Sequence, residues 1–155
     1  MSSSLQRDLR QQKPFTSPEQ EAHLNIVRTG TMLVDAFEQR LRPYGLSATQ
    51  YNVLRILRGA EPAGLCRNEL RDRLLTRMPD VTRLLDRMEE AGLVTRSRDC
   101  ADRRLVTTRI TAEARRLVDE LDAVAVEEHQ RCLGHLSREQ LATLVELLTL
   151  IRQAL

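Results

Sequence analysis

Residues 78–111 read MPDVTRLLDRMEEAGLVTRSRDCADRRLVTTRIT, and the order of patterns within them decides the fold. At 100° per residue Val81, Leu84, Leu85 and Met88 fall on one apolar stripe, as expected of a helix packed on a core. The opposite side collects Thr76, Pro79, Arg83 and Arg87, with Thr82 nearby and Asp80 on its edge. Proline fits a first turn, where amide hydrogens have no partner inside the helix. Thr76 is the expected cap of that start and Gly92 the expected stop. Residues 93–98 and 105–110 then read as two strands rich in β-branched side chains, joined by the loop DCADRR. Thr111 is placed to cap the next helix, with Glu113 in a first turn that favours negative charge.

A helix beside an arginine-tipped hairpin can read two grooves of duplex DNA at once. Arg83 and Arg87, one turn apart, can bond guanine O6 and N7 bidentately or clamp a phosphate. Arg103 and Arg104 sit at or near the hairpin tip, where surface charge adds little to folding but suits a narrow, electronegative minor groove. Asp80 either accepts from a cytosine amino group or caps the helix. Taken alone, the helix pattern also fits an ordinary solvated charged face; the hairpin shifts the weight to DNA.

The run Asp102-Arg103-Arg104, followed by LVTTR and Ile110-Thr111, resembles the D-x-R-x5-L-T signature of the MarR (multiple antibiotic resistance regulator) family. VTRLLDRMEEAGLV is similar to that family's recognition helix and the strand after it, and the similarity runs from about residue 20 to the end. Ile110 stands where leucine is usual, and Asp80 puts an acid among small polar residues. The resemblance implies a mainly α, winged helix-turn-helix regulator with a two-stranded β wing. It also implies N- and C-terminal dimerisation helices and an inverted-repeat DNA site.

Length and composition agree with one domain. The 155 residues carry few glycines and prolines and 3% aromatics, so most of the chain is expected to be helical. The net charge of +2 is small, but it is unevenly spread. Residues 67–109 hold 11 arginines and 8 acids, net +3, whereas 110–155 hold 5 arginines and 8 acids, net −3. The positive part coincides with the expected reading head, as steering toward phosphate requires. There is no 18-residue apolar run, and MSSSLQRDLRQQKPFTSP lacks the apolar core of a secretory leader, so a cytoplasmic protein without membrane contact is expected.

The expected organisation is a flexible tail over 1–16 and a single domain over 17–155. Dimerisation helices span about 17–42 and 112–153, and the winged helix-turn-helix about 47–111. Ser17…Gln20, Ser47…Gln50 and Ser137…Gln140 mark three helix starts. The terminal helices carry more apolar surface than a small winged head needs, with Leu141, Leu144, Leu147, Leu148 and Ile151 in the last one. A homodimer is therefore expected, with twofold-related heads about one DNA turn apart.

Tyr51, Arg55 and Arg58 form a second stripe, read as facing away from Val53, Leu54 and Leu57. A ring beside guanidinium groups can receive a small aromatic acid or other phenolic effector, with His23 or Arg28 contributing from the first helix. A solvated face is the simpler reading. Cys66, Cys100 and Cys132 form no C-x-x-C pair and suit a reducing compartment; Cys100 alone lies in the wing, with a redox role left open. His129, Cys132 and His135 are three apart but lack a fourth ligand, so no metal is expected. No phosphate loop, H-E-x-x-H or nucleophile–His–Asp set is present, so neither catalysis nor a cofactor is expected. The competing class is a winged-helix protein-interaction module without DNA binding.

Overall fold

Serine and threonine side chains begin the four longest helices of this computed structural model, which describes residues 4–98 and 106–155. Ser17 accepts from Gln20 N at the start of α2 (Pro18–Leu41), with Pro18 in the first turn. The Gln20 side chain closes back on Thr16 N instead of Ser17 N, so that box is displaced by one residue. Ser47 and Ser137 form complete reciprocal boxes ahead of α3 (Ala48–Gly59) and the last helix, α7 (Arg138–Gln153). Thr111 Oγ1 accepts from Ala114 N at the head of α6 (Ala112–Leu133), as the sequence suggests.

The segment read as a tail contains a short helix, α1 (Ser4–Asp8), whose Leu5 is buried. Burial of one leucine removes enough apolar surface from water to hold a turn that five residues could not sustain alone.

Between α3 and α6 lies the head: β1 (Leu65–Cys66), α4 (Arg67–Arg73), α5 (Val81–Glu90), β2 (Val94–Arg98) and β3 (Val106–Ile110). The sheet is antiparallel in the order β1-β3-β2, with Leu65 opposite Thr108 and Val94 opposite Ile110. β2 and β3 form the two-stranded wing expected, and β1 adds a third strand to its sheet. A two-residue strand has no periodicity to read, and its pairing depends on Gly64 just before it. Gly64 has φ +77°, and a Cβ there would come within 2.6 Å of Thr108 O.

The core gathers around α3. Val53, Leu54 and Leu57 are fully covered, as are Leu41, Leu70, Met88, Val94, Val118 and Leu121 from the surrounding elements. α3 touches α2, α4, α6 and β3, so it joins the head to the long helices. α7 buries none of its residues within the chain. No helix among the described residues is long and apolar enough to cross a membrane.

Candidate nucleic-acid interface

The apolar stripe of α5 behaves as its spacing demands: Val81, Leu84, Leu85 and Met88 are all buried. Each such side chain contributes about 1.5–3 kcal/mol relative to exposure, which presses this face of the helix onto the head. Thr82, Arg83 and Arg87 consequently face solvent. The helix ends in a Schellman arrangement, with Gly92 N bonding Glu89 O and Leu93 N bonding Met88 O, both at 2.9 Å; Gly92 supplies the φ of +70°.

Its start differs from expectation. Asp80 is the cap, its carboxylate accepting from Arg83 N at 2.9 Å. Thr76 and Pro79 precede the helix in an exposed connection and are not part of its first turn. Of the two roles that the sequence left open for Asp80, the cap is formed, because three residues of spacing bring an aspartate onto the free N3 amide. That connection is held from below: Asn52 Oδ1, on α3, accepts from Leu75 N at 3.1 Å. Asn52 has no local signal in the sequence, since its partner lies 23 residues on.

Charge on the helix is sorted by partner. Asp86 and Glu89 both engage Arg96 of β2, and this bond with the guanidinium holds the Glu89 carboxyl below its usual range. Among the described residues neither Arg83 nor Arg87 meets an acid; Arg87 Nε donates to Arg83 O at 3.4 Å. Arg67, at the start of α4, donates to Thr82 Oγ1 at 3.4 Å. The outer face thus presents guanidinium groups without acid partners among the described residues, Arg83 in the first turn of α5 and Arg87 in the last, a surface suited to anions. Asp102, Arg103, Arg104 and Cys100 lie outside the described residues.

The expected effector residues are dispersed. Tyr51 is buried, its ring edge-on to Phe37 at 5.3 Å between centroids, and its hydroxyl donates to Asp122 Oδ1 at 3.5 Å. Burial pushes its phenol pKa up. Arg58 is bonded bidentately to Asp122 and singly to Asp119, both on α6, and this holds the Asp122 carboxyl below its ordinary range. Arg55 remains exposed, 5.9 Å over the Tyr51 ring. His23 and Arg28 are exposed on α2, about 21 and about 14 Å along the helix axis from Phe37, so one chain does not bring them to Tyr51. A cavity of about 310 Å³ opens instead between α4, α5 and the sheet, lined by Cys66, Arg67, Thr82, Leu85, Arg96 and Thr108 among others, and none of the five expected residues lines it.

His129 stacks near Phe37 at 6.0 Å, and Cys132 donates to Glu128, so these two serve packing. Burial and the Glu128 carboxylate push the Cys132 thiol up. Among the described residues no group of His, Cys, Asp and Glu could hold a metal ion.

A model of the MarR family matches residues 46–106, from just before α3 to the first residue of β3. The HTH-type transcriptional regulator FarR of Neisseria gonorrhoeae is 27% identical over 135 residues, covering 87% of this chain and 91% of that protein. A MarR transcription factor from Planctomyces limnophilus, solved by crystallography, is 38% identical, with 88% of this chain and 98% of that one aligned at a TM-score of 0.67. BpsR of Bordetella bronchiseptica, whose DNA binding is regulated by 6-hydroxynicotinic acid, is 27% identical over 90% of this chain and 98% of its own, at a TM-score of 0.77.

Proposed function

The chain belongs to the MarR family of winged-helix transcription regulators, and from that premise we propose that it is a homodimeric, sequence-specific binder of an inverted-repeat operator. The observation that carries this reading is the sorting of charge on α5. Asp86 and Glu89 are engaged with Arg96, while Arg83 and Arg87 stand outward without acid partners among the described residues. In this reading Arg83, Arg87 and Thr82 enter the major groove, and Thr76 and Pro79 approach its edge from the connection before the helix. Asp80 orders the helix start, and Arg103 with Arg104 reaches the minor groove.

Dimerisation is supported by the apolar side chains left in solvent on α2 and α7. They include Val27, Met32 and Val34 on the first, and Val145, Leu147 and Leu150 on the second. Large apolar side chains left exposed in such number on two helices suit an association surface. A second copy covering both helices would set two heads at a fixed spacing, which an inverted repeat matches.

Repression relieved by a small aromatic acid is the regulatory mode we favour, because BpsR responds to an acid of that class. Release requires that the acid bind better to a dimer with wrongly spaced heads. Of the two expected arginines on α3, Arg55, exposed over Tyr51, remains open to such a ligand, whereas Arg58 is held by Asp119 and Asp122. Such a regulator acts in the cytoplasm, on the chromosome.

Selection of duplexes from a random pool by the purified protein tests the reading. Recovery of an inverted repeat is the expected result. No enrichment at low ionic strength overturns it and favours a protein-binding winged helix. Charge reversal at Arg103 separates the two classes again: it abolishes duplex binding under the first reading and leaves it untouched under the second.

A further inference from the structure

Three donors of one wing residue converge on a single carboxylate of α5. Arg96 N donates to Glu89 Oε1 at 3.0 Å, and Arg96 Nε to Glu89 Oε2 at 2.8 Å. Arg96 NH2 stands 2.7 Å from the same Oε2 and 2.6 Å from Asp86 Oδ1. β2 is an edge strand, so Glu89 closes an N–H that the sheet leaves free. An ordinary surface ion pair ties two flexible side chains and fixes little. Here the acceptor grips main chain and side chain of one residue together, which fixes both the position and the direction of β2 against the helix. With two acids on its guanidinium, Arg96 is poorly suited to hold a phosphate itself.

We propose that Glu89, assisted by Asp86, is a positioning residue for recognition: through Arg96 it holds the wing at the angle to α5 that lets both grooves be engaged together. This rests on the DNA-binding reading above. It also carries a sign opposite to simple electrostatics. Removing an acid beside DNA should tighten binding by charge alone, whereas releasing the wing weakens it.

Dimethyl sulfate methylates guanine N7 in the major groove and adenine N3 in the minor groove, so one footprint reads both contacts. The full chain, Glu89→Gln and Glu90→Gln are compared on a duplex selected by the unmodified protein and carrying adenines in its flanks. Glu90 is exposed on the same helix and provides the same charge change outside the clamp. Glu89→Gln is expected to keep guanine protection, lose adenine protection and bind about tenfold more weakly, with a salt slope shallower by roughly 0.9 per phosphate released. Glu90→Gln is expected to keep both protections and bind at least as tightly as the parent. Retained adenine protection in Glu89→Gln overturns the proposal, and so does equal loss in both grooves, which marks a general folding defect. An unmodified protein that protects neither groove overturns the DNA-binding reading beneath it.

Discussion

Arg58 and Asp122 are joined by two parallel hydrogen bonds, 2.9 Å from NH1 to Oδ2 and 3.1 Å from NH2 to Oδ1, across 64 residues of chain. The pair ties α3, which joins the head to the long helices, to α6. Asp122→Asn keeps the shape and removes the charge, and because Asp122 is half exposed the expected cost is about 1 kcal/mol. Urea denaturation of the variant against the parent measures it; an unchanged midpoint contradicts the tie.

Glu128 gives a pH dependence with a definite sign. Its carboxyl, buried on α6 and bonded chiefly to Arg131, is lowered from an ordinary 4.5 to about 2. A lowered folded value means the contribution is fully present above about 4.5 and is lost as pH falls toward 2. Glu128→Gln should therefore flatten the stability profile between those limits, and thermal melts over that range check it.

Arg83→Ala should cost roughly 1–3 kcal/mol of binding and relax sequence preference at one position per half-site, if Arg83 reads a base. Equal weakening on every duplex would make it a phosphate contact. For the intact dimer, contact with roughly 6–10 phosphates predicts a loss of about 10³–10⁵ in affinity between 50 and 200 mM salt, measurable by fluorescence anisotropy.

Leu147→Glu places a charge in the most apolar stretch of α7, where Leu147 is 54% exposed within one chain. The expected outcome is a monomer in sedimentation experiments, with weaker duplex binding as a consequence. A variant that still sediments as a dimer would move the interface off α7.

Gly64→Ala should destabilise the head by about 1–3 kcal/mol, because alanine resists φ +77° and its Cβ would clash with Thr108 O. Calorimetric unfolding of the variant would register the loss, and no change in midpoint would mean that β1 rearranges freely.

Local patterns were legible where the cause was local. The α5 stripe, the Ser47 and Ser137 boxes, the Gly92 stop and the Thr111 cap all follow from spacings of a few residues, and the structure places each accordingly. Thr76 and Asp80 competed for one helix start, and the residue nearer the apolar run took it. Tyr51 and Arg58 were read outward because α3 was considered without α6; Asp119 and Asp122 draw Arg58 in from more than sixty residues away. A separation of 23 residues likewise hid Asn52 beneath Leu75, and two residues were too few to announce β1. Glu89 and Arg96 were visible as charges, but nothing in their spacing distinguishes a clamp from two solvated side chains.

A final helix that finds no cover in its own molecule makes folding subject to mass action. If a second copy provides that cover, the melting temperature should rise with protein concentration. Operator occupancy would then respond more than proportionally to protein concentration, so that growth of the cell without matching synthesis would loosen control before any small molecule arrived.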